Sequence, residues 1–407
     1  AIGEMGEHGG AAVELDRAPL KYSGLAPWEI FLSESQERMV AAVAPDDVAR
    51  VMATCAVYNV EAVDVGAFTD SGQLVVRYAG EVVGELAMRF MHDGLPERTL
   101  HGTWQAADAG AAPRLPALPA SDAEWVALAC RVLGHPNVAS KEPIVRQYDH
   151  TVQAMGALPP FGGLEGDAPG DAAVLAPLPG RPYGLVIAHG LHPALNAVDP
   201  YWGGLWAAAE AMANLVAVGG NPREVGLIDN FIWPVPDAAS LGGLDRAVDA
   251  CVDVSDALGR PFISGKDSLS STYRFPDGAV LKIPPVLCIS VFGRIPDVGA
   301  TVSSDFKRPG ATLVLVGARD VAPERGGALG GSVYADVAGV EGADIPHIDL
   351  AVLPAVLDAV HAAIAAGGVA ACHDVSEGGL LACLAEMGFG GDRGAEIDIA
   401  GLAARAD

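Results

Sequence analysis

Short apolar runs alternate along this chain with longer stretches of mixed apolar and polar residues, which predicts strands and helices in turn. The runs bounded by glycine or proline predict strands, and these lie at 172–176, 184–188, 285–292 and 311–317. Helical spacing predicts helices at 123–133, 203–218, 352–366 and 377–387. Residues 74–78 and 82–86 predict a β-hairpin around Gly80. The pattern is typical of a protein of mixed α and β structure.

The sequence also contains an internal repeat. Residues 4–20 align without gaps to residues 386–402 at a constant offset of 382, with eight identities in 17 positions. The identical residues in the first copy are Glu4, Met5, Gly6, Gly9, Glu14, Asp16, Ala18 and Leu20. We infer a tandem duplication in which this chain carries the end of one copy and much of the next. It is therefore expected to be a fragment of a longer protein.

Composition and charge narrow the classes of function. The chain has 407 residues, 51% of them hydrophobic, which suits two or three domains with buried cores. Its formal net charge of −26 repels phosphate backbones, so nucleic acid is not an expected partner. A phosphorylated small molecule would need a metal ion or backbone N–H groups to offset the same repulsion. Neither a signal peptide nor an apolar run of about 18 residues occurs, so we expect a cytoplasmic protein and no membrane partner.

Zinc and disulfide chemistry are not expected from the cysteines and histidines. The six cysteines form no C-x-x-C pair, which favours scattered buried thiols in a reducing compartment. His189 and His192 are three residues apart, but no thiol or acid lies beside them at the spacing of zinc ligands.

A dense polar segment at 33–39 (SESQERM) follows the apolar residues 30–32. If residues 30–32 form a strand, its end presents hydroxyl, amide and carboxylate groups to a hydroxyl-rich or amide-bearing ligand. The alternative is a solvated helix start that is capped by Ser33 or Ser35. The residues alone leave both interpretations open.

An acid and an amide on one predicted helix are candidates for binding a hard cation. Glu210 and Asn214 are four residues apart on the predicted helix 203–218, so they share one face of an otherwise apolar or small-residue segment. An acid and an amide are costly to bury there unless something binds them, and oxygen ligands suit Mg²⁺. The alternative is an exposed polar stripe. Asp171 follows Gly170 at a predicted strand start, where a plain turn is the simpler explanation.

The segment 373–380 (HDVSEGGL) precedes a predicted helix, with Ser376 as a natural N-cap. Its paired glycines allow close approach to a helix N-terminus that favours phosphate, and Asp374 could hold an accompanying metal. Ordinary capping without a ligand is the alternative, and His373 is expected to be a structural hydrogen-bonding group. The segment 264–268 (SGKDS) predicts a strand-to-loop turn that suits an anion, but it lacks the P-loop spacing.

Together these motifs resemble the large subunit of phosphoribosylformylglycinamidine synthase. The resemblance runs nearly end to end. It is carried by residues 21–30 (KYSGLAPWEI), 33–39, 140–142, 146–150, 170–174, 210–214, 228–234, 264–268, 329–332 and 373–380. The polar segment 33–39 followed by HDVSEGGL is the specific combination. HDVSEGGL alone marks a wider superfamily, which includes aminoimidazole ribonucleotide synthetase, selenophosphate synthetase and thiamine-monophosphate kinase.

The resemblance implies tandem aminoimidazole-ribonucleotide-synthetase-like halves, each a small α+β domain plus a larger α/β domain, here truncated at both ends. We expect residues 1–150 to be the latter part of the first-half large domain plus a linker. Residues 151–300 are then the second-half small domain, and residues 301–407 open the second-half large domain.

The implied reaction is the ATP-dependent conversion of formylglycinamide ribonucleotide to formylglycinamidine ribonucleotide in purine synthesis. The family takes ammonia from a glutaminase unit that hydrolyses glutamine, and its catalytic side chains lie in a first-half small domain that this sequence lacks. The isolated chain is therefore expected to be inactive and to carry no catalytic residue. The alternatives are a non-catalytic module that a nucleotide stabilises, and another ATP-dependent member of the superfamily.

The resemblance also implies roles for individual residues, with Mg²⁺ and ATP or ADP as ligands. The substrate-binding residues would be Glu34, Ser35, Gln36 and Ser268. The nucleotide-binding residues would be Gly170, Asp229, Gly265 and Ser376. The magnesium ligands of an auxiliary nucleotide site would be Asp171, Glu210, Asn214 and Asp374. Lys266 stands where shorter family members have asparagine, so this position is not expected to bind metal.

Overall fold

The computed structural model of the chain describes residues 1–35, 38–106, 114–317, 328–342 and 344–399. The chain divides into two compact units, Ala1–Thr99 and Leu100–Asp407. The finer division at residues 150 and 300 stays a prediction. None of the described helices is both long enough and apolar enough to cross a bilayer.

The described residues form twelve α-helices and fourteen strands. The helices are α1 (Ile2–Met5), α2 (Pro27–Phe31), α3 (Val48–Val57), α4 (Met88–Asp93), α5 (Asp122–Leu133), α6 (Glu142–Val145), α7 (Pro193–Val198), α8 (Pro200–Ala217), α9 (Ala238–Leu258), α10 (Val333–Ala338), α11 (Leu353–Ala365) and α12 (Gly379–Gly391). The strands are β1 (Ala11–Glu14), β2 (Gly66–Phe68), β3 (Gln73–Tyr78), β4 (Glu81–Ala87), β5 (Gly156–Leu158), β6 (Phe161–Gly162), β7 (Ala168–Pro169), β8 (Ala173–Leu175), β9 (Gly184–Leu191), β10 (Val225–Ile232), β11 (Phe262–Ser268), β12 (Thr272–Arg274), β13 (Val280–Lys282) and β14 (Val286–Ile295).

The first unit contains a four-stranded sheet in the order β2-β1-β3-β4. Strands β3 and β4 form the predicted hairpin, with Tyr78 opposite Glu81. The two turn residues, Ala79 and Gly80, have φ of 51° and 79°. Both angles are left-handed, as the tightest hairpin turns require, which explains the glycine at this point.

The second unit is built on a six-stranded sheet in the order β11-β10-β14-β9-β8-β5. Residues along β9 are alternately buried and exposed, because one face of the sheet packs against α8 and the other faces outward. Helix α9 packs beside α8. The core between the sheet and these helices includes Met212, Leu215, Leu227 and Ile289, each with no exposed surface.

Helix α8 approaches β9 closely at Gly190. A Cβ atom added to Gly190 would lie 2.3 Å from the carbonyl oxygen of Ala207 and 2.6 Å from the backbone nitrogen of Ala211. It would also lie 2.8 Å from the Cβ of Glu210. Glycine at this position therefore allows the helix to place Glu210 directly against the strand.

Gly190→Ala should destabilise the second unit by about 1–3 kcal/mol, because the new methyl group meets backbone atoms that cannot move independently. The measurement is urea unfolding of the variant and the wild type. Gly156→Ala on β5 is the matched control, since a Cβ there meets nothing within 4 Å. Equal midpoints for both variants would contradict the close approach of α8 to β9.

Most of the predicted elements are confirmed in the second unit. The strands predicted at 172–176, 184–188 and 285–292 correspond to β8, β9 and β14, and the four predicted helices to α5, α8, α11 and α12. The strand predicted at 311–317 is wrong: 313–316 are at least 42% exposed, and no described strand lies beside this segment. Without a neighbour, the backbone N–H and C=O groups of an extended segment have no ladder to join.

Two other local predictions are corrected. Residues 30–32 are not a strand, because α2 begins with Pro27 at its first turn and the Glu29 carboxylate accepts a hydrogen bond from Ala26 N at 2.7 Å. Residues 264–268 are not a turn, because they continue β11 in parallel pairing with β10.

Candidate metal and nucleotide site

A group of acidic side chains converges in the second unit where three elements meet. Asp171 lies just before β8, Glu210 lies on α8, and His373 and Asp374 lie just before α12. Asp171, His373 and Asp374 offer potential ligand atoms within 4.8 Å of one another. The exposed fractions of their side chains are 1%, 7% and 8%. Two of the four predicted magnesium ligands, Asp171 and Asp374, are therefore neighbours in a buried cluster.

Both ring nitrogens of His373 are hydrogen-bonded to carboxylates. Nδ1 lies 2.8 Å from Oδ1 of Asp171, and Nε2 lies 2.9 Å from Oε2 of Glu386 on α12. Burial lowers the pKa of His373, but the hydrogen bonds and the nearby carboxylate charges outweigh it and raise the pKa to about 11. The ring is therefore a cation with an N–H donor on each side.

The two oxygens of Asp171 have different environments. Oδ1 accepts hydrogen bonds from His373 Nδ1 and from the backbone N–H of Asp374, the latter at 2.9 Å. Oδ2 is buried and has no hydrogen-bond partner. A buried carboxylate oxygen without a partner is costly, so this atom is where the structure fits a bound cation.

Glu210 faces the same cluster from α8. Its Oε2 accepts a hydrogen bond from the backbone N–H of Leu191 at 2.8 Å. Burial raises the pKa of Glu210 to about 8, and the charge of Asp374 adds to the rise. Burial, followed by the charge of Asp171, also raises the pKa of Asp374. The Ser376 hydroxyl, close to both carboxylates, lowers their pKa values and so partly offsets these shifts.

The cluster is short of positive charge. Asp171 and Glu386 are hydrogen-bonded to the cation His373, Asp374 lies 3.4 Å from it, and the charge of Asp374 acts on Glu210. Negatively charged carboxylates held this closely repel one another unless protons or a cation lie between them. A hard divalent ion such as Mg²⁺ suits a set of carboxylate oxygens.

The N-terminus of α12 borders the cluster and is open. The helix is 13 residues long, and its N-cap is Gly378 with φ of 82°. The predicted N-cap Ser376 is therefore corrected, because glycine adopts the left-handed angle and the Ser376 hydroxyl is turned to the acids. A Cβ added to Gly379 would meet nothing within 4 Å, which leaves room for a phosphate at this helix end.

Sequence comparisons place the chain in a family. The model of the AIR synthase related protein C-terminal domain matches residues 1–79 and 308–406, and the model of the N-terminal domain matches residues 169–295. The phosphoribosylformylglycinamidine synthase subunit PurL of Rhodospirillum rubrum is 36% identical over 408 residues, 98% of this chain and 52% of that protein. The chain belongs to the phosphoribosylformylglycinamidine synthase family. It spans about half the length of the curated relatives that it matches.

Solved structures of family members share the fold. Thermotoga maritima PurL complexed with AMPPCP is 25% identical with a TM-score of 0.52, covering 74% of this chain and 46% of that one. A chain of the Thermotoga maritima PurLQS structure is 25% identical with a TM-score of 0.51. The match covers 72% of this chain and 43% of that one. The C-terminal domain model matches on both sides of the N-terminal one, which confirms the internal repeat and the tandem organisation of this family.

The remaining family positions in the second unit are not all near the cluster. Asn214 donates its side-chain N–H to the carbonyl oxygen of His189 at 3.0 Å, one helical turn from Glu210. The backbone N–H of Gly170 is hydrogen-bonded to the carbonyl oxygen of Pro160 at 2.9 Å. Both lie beside residues of the cluster, but the structure leaves their roles as predictions.

Asp229, Gly265 and Ser268 lie elsewhere, at the β10–β11 edge of the sheet. Asp229 is directly opposite Gly265, where any Cβ would lie 2.1 Å from its carboxylate oxygen. Burial, then the charge of Asp267, raises the pKa of Asp229. Strand β8, which follows Asp171, is three strands from β10, or about 14 Å at the usual spacing. Asp229, Gly265 and Ser268 are therefore not part of the acidic cluster.

The family substrate triplet lies in the first unit. Glu34 and Ser35 are exposed in the segment after α2, and the Ser35 hydroxyl lies 2.8 Å from that of Ser33. Gln36 lies outside the described residues. The substrate-binding role of the triplet stays a prediction.

Two carboxylates near the cluster were not among the sequence candidates. Glu386 contacts His373, and Glu377 lies 3.7 Å from Nδ1 of His192. Burial lowers the pKa of His192 to about 4, so this second contact joins a neutral ring to an acid. Glu386 carried a signal in the sequence, since it matches Glu4 in the internal repeat. Glu377 carried none, because its contacts depend on how the chain folds.

Proposed function

We propose that this chain provides the auxiliary Mg-nucleotide site and part of the substrate-binding surface of a phosphoribosylformylglycinamidine synthase. The observation that carries the proposal is the unpartnered, buried Oδ2 of Asp171, in a cluster where Asp171 lies near Asp374 and Asp374 lies near Glu210. The name of the Rhodospirillum rubrum relative and the AMPPCP complex of the Thermotoga maritima protein support the reaction class and the nucleotide.

The residues that would hold the ion are Asp171, Asp374 and Glu210, with Asn214 on the same face of α8. When bound, Mg²⁺ would supply positive charge that offsets the phosphates of a nucleotide. The N-terminus of α12 would face a phosphate through backbone N–H groups. Because the acids come from the β8 start, α8 and the α12 start, binding would tie these elements together.

The role we assign to this site is structural. The side chain that could move a proton there, His373, has both nitrogens hydrogen-bonded to carboxylates and holds its proton strongly. A residue with such a high pKa is a poor general base near neutral pH. We assign no catalytic role to a residue of this chain.

In the whole enzyme, we propose that Glu34, Ser35 and Gln36 contact formylglycinamide ribonucleotide. Ammonia would come from a glutaminase subunit or domain, and ATP would be used at a site that requires a first-half small domain. The proposed location is the cytoplasm. This division of labour follows the family resemblance and the tandem domain order.

We expect the chain alone to bind Mg-ADP without acting as a synthase. Incubation with ammonium, ATP and formylglycinamide ribonucleotide should release no ADP above the level seen without the ribonucleotide. Calorimetric titration with Mg-ADP in the same buffer is the companion measurement, because it shows that the protein is folded and the site is present. ADP release that depends on the ribonucleotide would contradict the structural role and favour a complete catalytic site.

A further inference from the structure

The cation cluster contains a hydrogen-bonded chain of three side chains that runs from α12 to the start of β8. Glu386 Oε2 accepts from His373 Nε2 at 2.9 Å, and His373 Nδ1 donates to Asp171 Oδ1 at 2.8 Å. The side chains of His373 and Asp171 are almost fully buried, and that of Glu386 is 21% exposed. This series of hydrogen bonds therefore begins near the protein surface, at Glu386, and ends at the proposed metal ligand, Asp171.

We propose that Glu386 and His373 are positioning residues that orient Asp171 so that its Oδ2 faces the cation. This inference rests on the proposed cation site. Two donors, His373 Nδ1 and the N–H of Asp374, hold Oδ1 and so fix the plane of the carboxylate. Once the plane is fixed, the direction in which Oδ2 points is fixed as well. Oδ2 is the oxygen that has no hydrogen-bond partner.

The competing interpretation makes His373 itself a metal ligand, since its ring lies within 4.8 Å of both aspartates. To bind a metal, a ring nitrogen would have to give up its hydrogen bond to Asp171 or Glu386, because a nitrogen that donates an N–H has no lone pair for a metal. Imidazole ligands suit zinc, copper or nickel, whereas carboxylate oxygens suit magnesium and manganese. The geometry therefore assigns Asp171 Oδ2 to the cation and His373 to the carboxylate behind it.

Positioning residues around metal sites have measurable effects on metal affinity. Their loss commonly weakens binding by about 10–100-fold. Glu386→Ala should weaken binding in that range, because the ring of His373 loses the partner that fixes its orientation. Glu386→Gln should restore most of the affinity, since its amide oxygen can still accept from Nε2.

The test titrates Mn²⁺ alone into the full chain, with free Mn²⁺ followed by electron paramagnetic resonance. The Mg-ADP affinity is measured separately by calorimetry. Asp336→Ala is the matched control, because it removes another carboxylate that contacts a histidine, His135 Nε2 at 3.0 Å. The expected result is weaker Mn²⁺ binding by Glu386→Ala, recovery by Glu386→Gln, and no change in Asp336→Ala.

The outcomes separate this inference from the proposed function. Equal Mn²⁺ affinity in the wild type and Glu386→Ala would overturn the positioning role, whatever happens with ADP. The expected Mn²⁺ pattern in the three variants, without Mg-ADP binding, would overturn the nucleotide site and leave the positioning role intact. A wild type that binds neither ligand would overturn both. A fall in Zn²⁺ affinity in His373→Asn that is much larger than the fall in Mn²⁺ affinity would overturn the positioning role in favour of the histidine-ligand interpretation.

Discussion

Mg-ADP at 100 times its Kd should raise the melting temperature of this chain by about 3–5 °C. A ligand that binds only the folded state stabilises it by about 2.7 kcal/mol at that concentration. For a unit as large as Leu100–Asp407, one kcal/mol shifts the melting temperature by about 1.5 °C. Binding is expected because the metal-free site holds carboxylates that are costly to bury, including Glu210 and Asp374.

The comparison requires Mg-ADP, ADP with a chelator, and no ligand. The chelated sample should show little of the shift, since the cation joins the acids to the phosphates. Glu210→Ala should lose most of it. Glu224→Ala should keep it, because Glu224 pairs with Arg294 on the surface, 3.2 Å away. A full shift in Glu210→Ala, or none in a folded wild type free of nucleotide, would contradict the site.

His373→Ala should destabilise the metal-free chain by about 3–5 kcal/mol at pH 7, the usual effect of removing one partner from a buried ion pair. The substitution takes the cation away from Asp171 and Glu386 and leaves the buried Asp171 carboxylate with fewer donors. Urea unfolding of the variant and the wild type, without metal, measures the difference. Asp336→Ala again serves as the control for loss of an exposed contact between a histidine and a carboxylate.

The pH dependence of that difference has a defined sign. The folded pKa of His373 is raised to about 11 from an ordinary value of 6.5. The stability it contributes is therefore fully present below about pH 6.5 and is lost as the pH rises through the folded pKa. The difference in free energy of unfolding between wild type and His373→Ala should become smaller from about pH 6.5 to about pH 9. A gap below 1 kcal/mol at pH 7, or one that widens with pH, would contradict a charged His373.

Local patterns in the sequence were sufficient for much of the second unit. Helix α8 and strands β9 and β14 were predictable because their apolar spacing matches the faces they bury. The 311–317 segment has the same apolar character but no described strand beside it, and the need for a neighbour is not visible in a local window. Residues 264–268 were wrongly predicted to form a turn. They are a strand because they pair with β10, which is distant in sequence and not visible in a local window.

The candidate site was predictable in part. The acids Asp171 and Asp374 are 203 residues apart, and the family resemblance together with their charge brought them into one hypothesis that the geometry supports. The contact of Glu386 with His373 was not predicted. It depends on how α12 is oriented relative to the His373 ring, which the sequence alone does not show. Ser376 was expected to cap α12, but Gly378 takes that place and releases the hydroxyl for the acids.

The most direct test of the account is the position of the cation itself. Crystals of the chain grown with Mn²⁺ and ADP, measured at a wavelength where manganese scatters anomalously, would give that position. We expect one anomalous peak about 2.0–2.4 Å from Asp171 Oδ2 and from carboxylate oxygens of Asp374 and Glu210, with phosphate oxygens completing its ligands. A peak bonded to a nitrogen of His373, or bound ADP with no peak between these carboxylates, would contradict the account.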